Sequence, residues 1–391
     1  MNQLCNVASV SWPDHLVFGE GDGKLDTIAG LSRRLVRWRG ELAAGTLHWR
    51  EVRTRMRDSR WHAAPDNPRT QPNKIHSVRW DDFNVVPRLA HELGMQAHVY
   101  VSVLDEGRPL ASKKQRQASY HNVLHGQHIT WQTRWSRAFP EYTMVDRGGL
   151  VRQWGVLCYA YPEVRAYMCE RIVRLLDGYD FDGVFLCLRS QCRPADFADP
   201  FGFNEAVRQD YLRLYGRDIK VEDFDLGLWR DLVGSYFTRF LRELRERLLR
   251  RNIALAVGVP RGGIIGPPLG NWTLQWREWV AQDLIDELII DQNSSQCPSM
   301  WHQLWPMHRG YGYLQNYVDG FNMRPLRQDL DHYYAPVLAG TPVKLYVARQ
   351  WHPRSPREET DLLAHPVVSG LIFSTFRHDN PGVVAHGDFR A

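Results

Sequence analysis

An acid that stands where an apolar run breaks into a polar one can be buried enough to hold or release a proton near neutral pH. Asp291 is the clearest case, closing Leu288-Ile289-Ile290 and followed by Gln292-Asn293-Ser294-Ser295, a run able to orient a hydroxylated ligand. Asp105 and Glu106 end the apolar run from Ala97, and Glu51 ends another; both positions suit a turn as well as chemistry. Glu205 follows Asn204 at the start of a helical stretch, where a carboxylate also favours the helix dipole, so capping and proton transfer compete there. Two such carboxyls facing each other across a cleft would suffice for hydrolysis by acid–base or nucleophilic catalysis.

Arginines sit at similar junctions. Arg53, Arg189, Arg261 and Arg349 each fall just past an apolar run. The guanidinium fork matches carboxylates and sulfates through paired hydrogen bonds, which points to an anionic or strongly hydroxylated ligand. Fifteen Trp and sixteen Tyr are many for 391 residues, and Trp61, Trp131, Trp272, Trp301 and Trp351 fall in polar segments. Sugar rings stack their apolar faces on aromatic rings and need polar partners for their hydroxyls, so these loops suit a carbohydrate, while ordinary core packing accounts for most of the other Trp. Trp12, Arg53, His121, Arg189, Gln191, Asn293, Trp301, His302, Arg349 and Trp351 form the expected substrate-holding set.

His121, His125 and His128 would share one face if their segment were helical, a zinc-like spacing, but no His-Glu-x-x-His motif accompanies them. They read as surface or substrate-contacting histidines, and no metal or other cofactor is expected.

The elements that must position these groups alternate along the chain. Apolar runs at 7–12, 46–52, 97–104, 184–188, 253–259, 287–291, 343–348 and 370–376 read as eight strands. Helical periodicity separates them, at 25–43, 81–93, 161–176, 204–215, 228–251, 276–283, 325–338 and 358–364. Unbroken apolar runs suit strands buried on both faces, as in a parallel sheet. One (β/α)8 barrel over 1–391 is the economical reading, with long loops after strands three and six, at 105–160 and 292–323. An open doubly wound sheet is second, but no glycine-rich phosphate loop follows the first strand. In a barrel the residues just past each strand gather on one face, and the candidates above are those residues. Asp180 and Asp182 precede strand four and belong to the opposite, structural face.

Formal net charge is +5 and mean hydropathy −0.44. The Arg-rich stretch Arg242–Arg251 interleaves Glu and Leu at helical spacing, as a solvated helix face does, so no nucleic-acid partner is expected. No stretch approaches the ~20 apolar residues of a membrane span, and the N-terminus shows no basic-then-apolar leader. Six scattered cysteines without a CxxC pair suit reduced thiols and a cytoplasmic setting, or a secreted or periplasmic one if a leader was removed. Oligomeric state is not readable.

Four segments carry a resemblance: Phe139-Pro140-Glu141-Tyr142, Tyr159-Ala160-Tyr161-Pro162-Glu163-Val164-Arg165, Asp182-Gly183-Val184-Phe185-Leu186 and Phe201-Gly202-Phe203-Asn204-Glu205. With them, over roughly residues 80–300, the chain resembles the family-10-like glycosyl-hydrolase TIM-barrel proteins. The resemblance implies a barrel acting on a poly- or oligosaccharide. This sequence departs from the usual barrel-glycosidase pattern at the end of strand four, where Cys187 and Arg189 occupy the acid positions, and strand seven ends Ala348-Arg349-Gln350. Hydrolysis needs two carboxyls ~5 Å apart if retaining or ~6.5–9.5 Å apart if inverting. The expected catalytic set is therefore Asp291 and Glu205 first, then Glu106 and Asp105. A glycan-binding barrel without its acids and a lyase acting on acidic sugars are the competing readings.

Overall fold

The computed structural model describes residues 5–15, 25, 27–52, 59–61, 80–110, 112, 131–188, 201–259, 261–265, 272–290, 326–348 and 356–379. Eight parallel strands close into a barrel: β1 (Asn6–Val10), β2 (Ala44–Arg50), β4 (Gln96–Ser102), β8 (Gly183–Cys187), β9 (Ala254–Gly258), β12 (Glu287–Ile290), β13 (Lys344–Ala348) and β14 (Val368–Ser374). β1 pairs with β2 on one side and β14 on the other, so strands from the two ends of the described chain seal the ring. This is the (β/α)8 barrel.

Alternation along each strand builds the two layers of core. Val7, Tyr100, Phe185, Cys187, Ala256, Ile289, Tyr346, Ala348 and Ile372 form the cluster that fills the ring. Their neighbours, such as Leu47, Val99, Val184, Leu186 and Leu255, join the outer core beneath the helices. Those helices are α1 (Trp12–His15), α2 (Ile28–Glu41), α3 (Asp82–Glu92), α4 (Arg134–Ala138), α5 (Pro162–Leu176), α6 (Glu205–Tyr215), α7 (Leu226–Leu249), α8 (Trp276–Ala281), α9 (Leu326–Asp329), α10 (Ala335–Leu338), α11 (Pro356–Leu363) and α12 (Thr375–Asp379). A π-helical turn, Leu330–Tyr334, joins α9 to α10. No helix among the described residues is long and apolar enough to cross a membrane.

Aspartates tie the strand starts together. Asp182 accepts from Ala97 N (2.7 Å) and lies 2.9 Å from His91 Nε2. Asp286 accepts from Leu255 N (2.7 Å) and from both terminal nitrogens of Arg245 on α7. Arg245 and Arg242, which bonds Glu278 and Gln282, show where the Arg-rich helix spends part of its charge.

The segment after β4, expected to be a long loop, carries structure. β5 (Trp131–Thr133) pairs antiparallel with β3 (Ser59–Trp61), and β6 (Thr143–Val145) pairs antiparallel with β7 (Arg152–Leu157). A second small hairpin, β10 (Ile264–Ile265) with β11 (Trp272–Thr273), follows β9. Asp146 Oδ1 accepts from Leu150 N and Val151 N at 2.8 Å each and so closes the β6–β7 turn.

Three of the segments that carry the resemblance hold this insertion to the barrel. Pro140–Tyr142 is a 3₁₀ turn whose Tyr142 packs against Trp135 and Tyr161. Arg165 Nη1 donates to the carbonyls of Tyr159 and Ala160, and its Nε reaches Glu243 at 2.8 Å. Buried Asn204 accepts from Val145 N and donates to Thr143 O, pinning β6 to the start of α6.

Candidate active site at the barrel mouth

The carboxyl ends of β2 and β4 place two sets of polar residues on opposite sides of the barrel wall. On the inner side, the Arg50 guanidinium lies 4.6 Å from the centre of the Tyr100 ring. Its Nη1 bonds Ser102 Oγ and its Nη2 is 3.6 Å from Asp105 Oδ2. Arg50 and Asp105 are both buried, and Arg50 Nε has no hydrogen-bond partner among the described residues. An Arg–carboxylate pair with a donor to spare suits a hydroxylated or anionic ligand.

Outward, between the barrel and α5, lie Glu51 and Glu106. Glu106 Oε1 accepts from Arg171 Nη1 at 2.5 Å, and its Oε2 accepts from Thr133 Oγ1 (2.8 Å) and Tyr167 Oη (3.1 Å). Arg171 Nη2 is 3.4 Å from Glu51 Oε2. Burial works against the Arg171 cation, but Glu106, Tyr167 and Glu51 outweigh it and raise its pKa above the ordinary value. Both oxygens of Glu106 are therefore committed to residues of the insertion and α5. Asp105 alone of this adjacent pair reaches the arginine of the inner set.

Glu205 stands elsewhere, exposed on the first turn of α6, with Arg208 at 3.1 Å and Lys220 at 3.8 Å. Arg261 is buried and 3.2 Å from Asp329 of α9, so the fork that sequence position offered to a ligand faces an internal carboxylate. Trp131 and Trp272 are buried: the first lies in β5, the second packs against Phe237 at 5.2 Å. Both lie in short two-stranded pairings outside the barrel, and these two rings serve packing, not sugar stacking. Trp12 lies in α1 just past β1. Asp291, Arg53, His121, Arg189, Gln191, Asn293, Trp301, His302, Arg349 and Trp351 lie outside the described residues, as do His125 and His128.

Cys187 ends β8 facing the interior, fully buried, and receives Tyr100 Oη at 3.4 Å. In the position where an acid was sought, a thiol closes against an aromatic ring.

Past β1 lie Asp14, a rim acid left out of the expected catalytic set, and His15, which the sequence reading did not single out. Asp14 Oδ2 accepts from Ser11 N (2.8 Å) and Ser11 Oγ (3.0 Å), the acid's half of a capping box at the start of α1, and Oδ1 accepts from Thr375 Oγ1 (2.7 Å). Burial pushes this carboxyl up to about 6, against the lowering effect of those bonds. His15, edge-on to Trp49 at 5.0 Å, is pushed down to about 3 by burial and by the charge of Arg50. The Ser11-x-x-Asp14 spacing was the available signal for the cap.

The two shifts oppose each other with pH. The depressed His15 value means the unfolded chain binds the proton more tightly, so stability from this group is full above about pH 6.5 and is lost as pH falls toward about 3. Asp14, raised in the fold, adds stability below about pH 4 that is lost as pH rises through about 6. The His15 interval is the wider, so His15→Phe should flatten the acid side of a melting-temperature-versus-pH curve, and Asp14→Asn should steepen it. Parallel curves for wild type and His15→Phe between pH 4 and 6.5 would show that His15 is not desolvated in the fold.

No protein-family model matches this sequence, and no curated protein matches it either. Solved structures do. The PgaB (BpsB) glycoside hydrolase domain from Bordetella bronchiseptica superposes with a TM-score of 0.51 at 13% identity, over 97% of both chains. The noncanonic maltogenic α-amylase AmyB from Thermotoga neapolitana superposes at 0.46 and 11% identity, over 97% of this chain and 69% of that one. The α-galactosidase AgaA from Geobacillus stearothermophilus gives 0.44 at 12% identity, over 98% of this chain but 42% of its own length. At such identities the likeness is one of fold: the chain is a (β/α)8 barrel.

Proposed function

We propose that the protein is a carbohydrate-active barrel that hydrolyses glycosidic bonds in a poly- or oligosaccharide. The observation that carries the reading is the end-to-end superposition on a glycoside hydrolase domain, over 97% of each chain. The mouth chemistry supports it: Arg50, Ser102 and Asp105 present a cation, a hydroxyl and a carboxylate beside the Tyr100 ring.

In this reading Asp291 is the first catalytic carboxyl. It follows Glu287–Ile290 in sequence, and the residues just past the carboxyl ends of barrel strands are where reacting groups gather. Asp105 becomes its preferred partner, because Glu106 is neutralised by Arg171 and Glu205 is paired on an exposed helix turn. One carboxyl protonates the leaving oxygen, and the other activates water or attacks the anomeric carbon. Arg53, Arg189, Arg349, Asn293, Trp301, His302 and Trp351 remain the proposed sugar-holding set.

A glycan-binding barrel is the second reading, favoured by Cys187 lying buried against Tyr100 where a strand-four acid was sought. A panel of neutral and acidic oligosaccharides, followed by reducing-end release and by calorimetric binding, separates the two. Hydrolysis of any member supports the enzyme; binding without turnover across the panel supports the receptor and removes the catalytic assignment.

A further inference from the structure

Deep in the ring, below the mouth, three ionisable side chains from three strands converge. His48 of β2 is the register mate of His98 on β4, and their rings stack with centroids 5.4 Å apart. Glu287, the first residue of β12, reaches across to them: its Oε2 lies 3.9 Å from His98 Nδ1, too far for a hydrogen bond. One donor atom from each of the three lies within 4.8 Å of the others. His48 and His98 are fully buried and Glu287 is 3% exposed.

Both nitrogens of His48, both nitrogens of His98 and Glu287 Oε2 have no hydrogen-bond partner among the described residues. A buried polar group left without a partner bears its full desolvation penalty. Five such atoms gathered at one point are a large liability in a ring otherwise lined in large part by Val7, Phe185, Ala256, Ile289 and Ile372. The surroundings keep the cluster open: a Cβ on Gly183 of β8 would come within 2.6 Å of the His98 ring, so only glycine leaves room for the imidazole. Lys344 Nζ, 3.9 Å from Oε1, takes up the other carboxylate oxygen and leaves Oε2 on the histidine side.

We propose that His48, His98 and Glu287 form a buried binding site for a borderline divalent transition ion of the zinc class, with a structural role. Two imidazoles and one carboxylate are a three-ligand set that such ions accept, with water as a fourth ligand. Burial lowers the pKa of both histidines, which keeps them in the neutral form that ligates. Bonds of ~2.0–2.2 Å place tetrahedral donors ~3.4 Å apart, so the side chains must draw together by about an ångström. Rotation of the Glu287 carboxylate and small tilts of the rings supply that. The ion would join β2, β4 and β12 across the ring and add its binding free energy to folding.

The test is metal content, read by plasma mass spectrometry on the full chain after exhaustive dialysis, and again after refolding with Zn2+ or Co2+. Wild type should retain about one equivalent, and the Co2+ form should show d–d absorption of a low-coordinate nitrogen/oxygen site. His48→Phe, which keeps a ring beside Phe185, and Glu287→Gln should each weaken retention by more than ~100-fold, since outer-shell changes alone cost ~10–100-fold. His125→Ala with His128→Ala should leave content unchanged, which separates this site from the other histidine cluster. Wild type that holds no ion under any of these conditions would mean that ordered water fills the space and would overturn the proposal. So would undiminished metal in either ring variant. If a variant does not fold, the wild-type content and Co2+ spectrum still decide.

Discussion

Asp291→Asn is expected to reduce turnover by ~10²–10⁴-fold, the usual contribution of a general acid or base, with little change in melting temperature. Asn keeps the shape and some hydrogen bonding of Asp but cannot cycle a proton. The measurement is kcat on the best oligosaccharide from the panel, with binding affinity followed in parallel. An affinity change without loss of kcat would make Asp291 a binding residue. Full activity would remove Asp291 from the acid pair and leave Asp105, held at the mouth by Arg50, to act with another carboxyl. Asp105→Asn should then show the same drop, and loss in both variants is the outcome that fits a pair.

The barrel was legible because its strands are buried on both faces, and a segment such as Val184–Leu188 needs no alternation to be recognised. The structure sets that strand at Gly183–Cys187, one residue earlier. Helices were legible from their ends: Pro162 in a first turn and the left-handed Gly94 just past Asp82–Glu92 mark ends that local sterics dictate. The short strands β5 and β6 within 105–160 were not, since three residues carry too short a period to stand out.

Partnerships between distant residues were less legible still. Asp105 and Glu106 are neighbours in sequence, yet one turns inward to Arg50 and the other outward to Arg171, 65 residues further on. Arg261 and Asp329, and the His48–His98–Glu287 cluster, are likewise joined only by closure of the ring. The position of an acid past a strand end says that it lies on the rim; it does not say which side of the wall it faces.

Glu106 is where that distinction has the largest measurable consequence for stability. Glu106→Gln would leave the largely buried Arg171 cation with Glu51, at 3.4 Å, as its carboxylate among the described residues, and would weaken the bonds from Tyr167 and Thr133. Breaking one side of a buried ion pair costs ~3–5 kcal/mol, a fall in melting temperature on the order of 4–6 °C for 391 residues. Arg171→Met alone should cost as much, by stranding Glu106. The double variant Glu106→Gln, Arg171→Met removes both charges and should recover much of the loss, because a neutral pair of similar volume often matches a buried ion pair. If Glu106 acts only by anchoring the insertion to α5, turnover in the double variant should return with its stability. A double variant that melts near the wild-type temperature but stays inactive would put Glu106 back among the catalytic carboxyls. Equal melting temperatures for wild type and Glu106→Gln would mean instead that water reaches Arg171 and screens it.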